Sequence, residues 1–128
     1  MKIAHVALWC RDLDRVTSFW VEYFGAKAGD PYASTRRPGF VSRFVRFEDG
    51  AALELMSGPW LERDEDSMSE KPGWAHVAIS LGSEAAVDAL AARMQDAGQL
   101  VSPPRWTGDG FYEAVLRDPE GNLIEITA

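Results

Sequence analysis

One five-residue phrase occurs twice in the chain, and this repeat constrains the fold more than any other feature of the sequence. The segment AHVAL at residues 4–8 returns as AHVAI at residues 75–79. The two copies contain the only two histidines, His5 and His76, which are 71 residues apart. A self-match at a fixed offset is typical of an internal structural repeat.

A second match at the same offset supports the repeat. The segment RFEDGAALELM at residues 46–56 aligns with RDPEGNLIEIT at residues 117–127, and Glu54 then aligns with Glu125. This match was not selected by the first one. The chain is therefore predicted to contain two copies of one unit, each with a histidine near its start and a glutamate near its end.

The first copy shows the patterns of a strand, a helix and a hairpin. IAHVALW is rich in strand-forming residues, Asp12 is typical of a helix N-cap, and Gly25 is typical of a helix end. GFVSRFVRF and AALELM, joined by the turn residues EDG, predict a hairpin. A further short strand is expected around residues 27–32.

The second copy repeats this order. WAHVAISL predicts a strand, Ser83 begins a helix that ends near Gly98, and FYEAVLRD and LIEITA predict a hairpin. Both copies therefore have a strand, a helix and then two or three strands. We expect an α+β protein made of two tandem βαβββ modules.

The domain organisation follows from the repeat. We expect a single domain over residues 1–128, with module 1 at about 1–58, a linker at about 59–73 and module 2 at about 74–128. The linker is polar, mostly acidic and contains two prolines, which favours a solvated connection or a mobile lid. Trp60 is the linker residue that could swing onto a ligand.

Composition excludes several classes of partner. A net charge of −7 and a pI of about 4.7 would repel nucleic acid and anionic membranes. No segment approaches the ~20 apolar residues of a membrane span, so we expect a cytoplasmic protein. Cys10 is the single cysteine and cannot form an internal disulfide. A small buried hydrophobic residue is favoured over a reactive thiol at this position.

Strand alternation indicates where the repeated polar residues point. His5, Ala7 and Trp9 share one face of the first strand. Glu54 points to the face of its strand opposite to that of its neighbours Leu53 and Leu55. The matching glutamate of the second copy lies between two isoleucines in the same way. Each glutamate therefore interrupts an otherwise apolar strand.

Two histidines and two glutamates at repeated positions fit a divalent metal site. A buried carboxylate is costly unless it is paired or bound to a cation, and imidazole with carboxylate suits zinc, nickel, cobalt and iron. A lone strand histidine is more often a hydrogen-bonded core residue, and a lone glutamate more often faces solvent. The coincidence of all four at symmetric positions favours the metal.

The quoted segments resemble the vicinal oxygen chelate superfamily over the whole chain. The resemblance is carried by AHVALWCRDLDRVTSFWVEYFGAK, DGAALELM, GWAHVAISL and DPEGNLIEIT. This superfamily includes glyoxalase I, bleomycin-resistance proteins and extradiol dioxygenases. It implies a curved, cup-like mixed sheet with helices on the outside, closed within one chain or across a two-fold dimer. We expect a homodimer, because each half is small for independent stability.

The ligand set resembles that of compact bacterial glyoxalase I. This likeness implies His5, Glu54, His76 and Glu125 as ligands of one divalent metal, with Ni, Zn or Co favoured and Fe or Mn as alternatives. The metal would lower the pKa of a carbon-bound proton and stabilise a cis-enediolate. The resemblance makes Glu125 the expected base, with Glu54 its counterpart on the opposite face.

The chain departs from that family pattern where glutathione would be held. Trp9 and Gly58 stand where an arginine and an asparagine are usual, so a substrate without glutathione is an alternative. The candidate replacements are Arg11, Arg36, Arg37, Lys71 and Arg105, although each could be a solvated surface charge. The candidate wall residues of a small-molecule site are Trp9, Trp60, Trp106 and Tyr112, for which packing in the core or rim is the alternative.

Three functions remain open at this stage. The first is a metal-dependent glyoxalase-like lyase or isomerase acting on a small oxygenated substrate, such as a thiol adduct. The second is a metal-dependent dioxygenase of the same superfamily. The third is a bleomycin-resistance-type protein that binds a ligand without catalysis.

Overall fold

The computed structural model describes residues 2–61, 73–108 and 110–128. Contacts within the chain divide it into two compact units, Met1–Glu65 and Asp66–Ala128. Most of the expected linker, including the segment interpreted as a lid, lies outside the described residues.

Unit 1 is a helix packed against one mixed sheet. Its strands run in the order β1-β5-β4-β2, and the short β3 also pairs with β4. β1 is parallel to β5, whereas β4 is antiparallel to both β5 and β2. The elements are β1 (His5–Trp9), α1 (Leu13–Phe24), β2 (Lys27–Ala28), β3 (Tyr32–Ala33), β4 (Val41–Arg46) and β5 (Ala52–Ser57).

Local capping and an apolar face explain α1. The Asp12 carboxylate accepts a hydrogen bond from the Arg15 N–H at 2.9 Å, as predicted for an N-cap. The helix ends before Gly25, whose N–H donates to the Val21 carbonyl. Its buried side chains are those of Val16, Thr17, Phe19 and Trp20. The helix contacts β4 and β5, whose inward residues Val45, Leu53 and Leu55 are also buried.

Unit 2 repeats the arrangement. Its sheet has the order β6-β9-β8-β7, with β6 parallel to β9 and the other pairs antiparallel. Four of its elements begin 71 residues after their counterparts β1, α1, β4 and β5, as the sequence repeat predicts. The elements are β6 (His76–Ser80), α2 (Glu84–Asp96), β7 (Leu100–Trp106), β8 (Tyr112–Arg117) and β9 (Leu123–Thr127).

The two units differ most in the strand that follows the helix. β7 is one seven-residue strand, whereas unit 1 has the two-residue strands β2 and β3 in the corresponding stretch. β7 contains Pro103 and Pro104, which cannot donate to a neighbouring strand. It therefore lies at the sheet edge, and its pairing with β8 shifts register twice.

The hairpin turns of the two units are anchored differently. In unit 2 the buried Asp118 carboxylate accepts hydrogen bonds from the N–H groups of Glu120 and Asn122 and from the Asn122 side chain, at 2.8–2.9 Å. Burial raises the pKa of Asp118 above its usual value, although these hydrogen bonds act in the opposite direction. In unit 1 the corresponding residue is Phe47, whose ring packs against Trp20.

The expected α+β class with two βαβββ units is confirmed. Cys10 is 2% exposed, as expected for a small buried hydrophobic residue. In the part of the chain that the structure describes, no helix is long and apolar enough to cross a membrane.

Candidate metal and substrate site

In unit 1 the sheet register brings one histidine and one glutamate together. Pairing of β1 with β5 sets His5 opposite Ala52 and Ala7 opposite Glu54, so both polar side chains project from the same face. His5 Nε2 lies 3.6 Å from Glu54 Oε2. The other face of the same strands carries the leucines that pack under α1.

Unit 2 contains the equivalent pair. His76 lies opposite Leu123 and Ala78 lies opposite Glu125 in the parallel pairing of β6 with β9. His76 Nε2 is 3.5 Å from Glu125 Oε2. The repeat identified in the sequence therefore reproduces the side-chain geometry as well as the backbone.

Both pairs are accessible on their sheet faces. The histidine side chains are 46% and 43% exposed, and the glutamate side chains are 19% and 18% exposed. Ile124 and Ile126, on the other face of β9, are at most 1% exposed. The polar face of each sheet is thus open to a ligand, whereas the apolar face is closed by the helix.

The donor atoms fit a divalent metal. Two atoms bound to one such ion at ~2.0–2.2 Å lie about 3 Å or slightly more from each other. A small movement of the side chains would therefore let the histidine and glutamate of one pair bind the same ion. Within either unit, the described residues include no group of three or more histidine, cysteine, aspartate or glutamate side chains suited to holding a metal. Each pair on its own supplies two protein ligands.

The surroundings of the two pairs differ. In unit 1 Phe44 lies opposite Glu54 on β4, and its ring meets the His5 ring edge-on at 5.4 Å. In unit 2 the position opposite Glu125 is Val115. The histidine of unit 1 is therefore supported by an aromatic ring, which sequence reasoning did not identify.

Unit 2 has a second carboxylate on its polar face. Glu113 lies opposite Thr127 and is 8% exposed, and its Oε1 accepts a hydrogen bond from Arg105 Nη2 at 3.0 Å. Arg105 Nη1 also donates to Ser102 Oγ. Strand alternation in YEAVLR, together with the hairpin register, would have placed Glu113 on the face of Glu125.

An aromatic cluster with an arginine lies at the end of β1 in unit 1. The Trp9 ring meets the rings of Phe40 and Trp60 edge-on, at centroid distances of 6.0 and 6.2 Å. The guanidinium carbon of Arg37 lies 3.9 Å from the Trp60 ring centroid and within 6 Å of the other two. The structure thus brings together three predicted substrate residues, Trp9, Arg37 and Trp60, and adds Phe40.

The other predicted substrate residues lie elsewhere. The Arg36 N–H donates to Ser34 Oγ, and no ring contact is found for its side chain among the described residues. Trp106 and Tyr112 contact each other at 5.5 Å, but the β8–β9 register puts Tyr112 on the face opposite to Glu125. These three residues as substrate contacts stay predictions.

A hydrogen bond ties Tyr112 to the helix side of unit 2. The Tyr112 hydroxyl donates to Asp88 Oδ1 at 2.7 Å. This bond and the nearby negative charges of Asp88 and Glu84 raise the pKa of Tyr112 above 10.0. The phenol is therefore neutral at physiological pH and anchors the start of β8 to α2.

Comparison with known proteins places this arrangement in a family. The model of the Glyoxalase/Bleomycin resistance protein/Dioxygenase superfamily matches residues 2–126. The chain belongs to this superfamily. It is 31% identical to the uncharacterized protein PA2024 of Pseudomonas aeruginosa over 98% of this chain and 86% of that protein.

Solved structures share the fold of this superfamily member. A glyoxylase/bleomycin resistance protein/dioxygenase domain from Frankia sp. EAN1pec has a TM-score of 0.83 at 21% identity, covering 99% of this chain and 96% of that one. The trypanothione-dependent glyoxalase I of Leishmania major has a TM-score of 0.73 at 22% identity, covering 99% and 86%. At these identities the likeness shows the fold.

Proposed function

We propose that the protein is a metal-dependent glyoxalase-like lyase or isomerase that moves a proton between neighbouring carbons of a small oxygenated substrate, such as a thiol adduct. The observation that carries the proposal is the duplicated histidine–glutamate pair, with N–O distances of 3.6 and 3.5 Å on open sheet faces. A purely structural pair would not need to recur with the same chemistry in both units. The fold shared with glyoxalase I supports the same reaction class.

The proposed ligands of the metal are His5, Glu54, His76 and Glu125, supplied by one chain or by two chains of a homodimer. Imidazole and carboxylate together suit Ni, Zn or Co, with Fe or Mn as further candidates. When bound, the metal would supply Lewis-acid stabilisation of negative charge that develops on the substrate oxygens.

Glu125 is the proposed proton-transfer residue. A carboxylate close to the reacting carbon can accept its proton and return it to the adjacent carbon without an external base. Glu125 is mostly shielded from solvent, which reduces exchange of that proton with water. Glu54 is shielded to nearly the same extent and has its own histidine partner, His5, so it is the proposed counterpart on the opposite face of the substrate.

Paired measurements of metal content and turnover test the proposal. Protein reconstituted with Ni, Co or Zn should turn over methylglyoxal–thiol adducts, and Glu125→Gln should reduce kcat by a factor of about 100 or more. Glu22→Gln is the matched control, because Glu22 is exposed on α1 and unrelated to the polar face. Full isomerase turnover by metal-loaded Glu125→Gln protein would contradict the assignment of the base.

The aromatic cluster around Arg37 favours one second candidate, a ligand-binding protein without catalysis. In such a protein Trp9 and Trp60 would pack against an apolar ligand, and a metal would be absent or would have no role in function. Elemental analysis of freshly purified protein separates the two candidates, since the enzyme requires a stoichiometric metal. Iron accompanied by oxygen uptake would instead indicate a dioxygenase.

A further inference from the structure

The arginine–aromatic cluster at the end of β1 is assembled from three separate parts of unit 1. Trp9 closes β1, Arg37 and Phe40 belong to the loop between β3 and β4, and Trp60 follows β5. Segments distant in sequence thus meet around one guanidinium. We propose that Arg37, with its stacked ring Trp60, is a carboxylate-binding residue of the substrate site.

Backbone geometry seats Trp60 in this position. A Cβ atom at Gly58 would lie 2.6 Å from Trp60 Cε2, closer than real side-chain contacts allow, so the indole occupies space that only glycine leaves. The Leu61 N–H donates to the Gly58 carbonyl at 3.2 Å and closes this turn. Glycine in place of the usual asparagine at residue 58 therefore leaves room for the Trp60 indole.

The loop that carries Arg37 is held independently of any ligand. Ser34 Oγ accepts a hydrogen bond from the Arg37 N–H at 3.0 Å. The Ser34 N–H donates to the Phe40 carbonyl, and the Phe40 N–H donates to the Arg37 carbonyl, both at 3.0 Å. These bonds fix the backbone on both sides of Arg37, which lowers the entropic cost of placing its side chain.

The chemistry of a stacked guanidinium determines what it binds. Its face is used by the Trp60 ring, whereas its N–H donors point outward in the guanidinium plane, where they match the two oxygens of a carboxylate. Arg37 is exposed, and in residues 2–61 its guanidinium makes no hydrogen bond or ion pair with another described side chain. A flat apolar group beside that carboxylate would pack on Trp9 and Phe40.

The position on the sheet relates this cluster to the proposed metal ligands. Trp9 shares the face of His5, and it lies two residues beyond Ala7, the strand partner of Glu54. Two residues along a strand span about 7 Å. The substrate class, which rests on the proposed function, is therefore an oxygenated compound that also carries a flat apolar group and a carboxylate.

A matched pair of probes tests the carboxylate preference by calorimetry. The full-length protein is titrated with 3-phenylpropanoate and with 3-phenylpropanamide, which have the same shape and differ in charge. Both titrations are repeated after chelator treatment, so that binding of the carboxylate to a metal is excluded. We expect the carboxylate to bind about 10-fold more tightly, as for one charge-assisted bidentate contact.

Variants assign the preference to the cluster. Arg37→Gln should reduce the ratio of the two affinities to less than about twofold, and Arg37→Lys should leave an intermediate ratio because lysine keeps the charge without the planar donors. Gly58→Ala should weaken binding of both probes, because the added methyl group displaces the Trp60 indole. If Gly58→Ala lowers the melting temperature, Trp60→Leu tests the same contact in its place. Arg15→Gln, which removes the same charge from α1, is the control.

Two outcomes would overturn the assignment: equal affinity for the two probes in the wild-type protein, or an undiminished preference in Arg37→Gln. The result is separable from the proposed function. Stoichiometric metal and isomerase turnover without a carboxylate preference would refute the role of Arg37 alone. If the protein prefers the carboxylate probe through Arg37 but has neither bound metal nor turnover, the proposed enzyme activity is refuted and the carboxylate-binding role of Arg37 stands.

Discussion

The two units share a backbone plan and a histidine–glutamate pair, but they differ in almost everything around that pair. In unit 1 the polar face continues into aromatic rings and Arg37. In unit 2 it continues into the Glu113–Arg105 ion pair, and the hairpin turn is built on the buried Asp118. The part that recurs is the histidine–glutamate pair proposed to bind metal. The parts that differ give the polar face of each unit its own chemistry, aromatic and cationic in unit 1 and an ion pair in unit 2.

The largest expected effect tests whether the two pairs are equivalent. His5→Gln and His76→Gln should each reduce metal affinity by about 100-fold or more. Each removes one proposed ligand, and the loss of a group that only orients a ligand already costs ~10–100-fold. Competition with a chelating dye measures the affinity, and circular dichroism checks the fold. An unchanged affinity in either variant would show that one unit binds the metal without the other.

The next effect concerns the hairpin turns, where the units are anchored differently. Asp118→Ala removes three hydrogen bonds to a buried carboxylate and should lower the free energy of unfolding by about 2–3 kcal/mol. Urea denaturation measures the change. Asp118→Asn is the control, since it keeps an acceptor and should cost clearly less, and an equal loss in both variants would contradict this account.

A smaller expected effect compares how much Arg105 of unit 2 and Arg37 of unit 1 contribute to stability. Arg105→Gln should cost about 1 kcal/mol of stability, because Glu113 stays buried without its partner while the arginine itself is half exposed. Arg37→Gln should cost about 0.5 kcal/mol, since its ring contact is at an exposed site. Thermal denaturation compares them, and the double variant Arg105→Gln with Glu113→Gln should regain part of the loss. A larger loss for Arg37→Gln would make that arginine structural.

The smallest expected effect is a pH dependence of stability that arises from Asp118. Unit 1 has no titratable residue at the corresponding position, which is Phe47. Because the pKa of Asp118 is raised in the folded chain, the folded state binds more protons than the unfolded state in the range that begins near pH 3.8. The wild-type protein should therefore lose stability relative to Asp118→Asn as the pH rises through that range. Urea denaturation between pH 3.5 and 7 measures the difference, and a relative gain for the wild type would have the wrong sign.

The repeat made most of the fold predictable. An offset of 71 residues located both helices, both hairpins and the two histidine–glutamate pairs, because hydrophobic alternation and capping residues act locally. β7 was not located individually, since its two prolines mask a strand that is tolerated only at a sheet edge. Local patterns cannot show which edge a strand will occupy.

The environment of the candidate site was less predictable than its central residues. The contact of Trp60 with Arg37 depends on the turn at Gly58 and on a loop from another part of unit 1, and no local pattern encodes such a meeting. Tyr112 stays a predicted substrate contact, and local patterns did not show that the hairpin register turns it toward α2. Register decides which face a residue occupies, and a shift of one residue reverses every side chain.

The ratio of metal to protein tests the central claim most directly. Purified protein saturated with Ni or Co and freed of excess metal should contain one ion per chain by elemental analysis, because the proposed site uses two histidine–glutamate pairs for each ion. The same ratio holds whether the pairs come from one chain or from two chains of a homodimer. Two ions per chain would show that each unit binds its own metal, and no retained ion would contradict the metal-dependent enzyme.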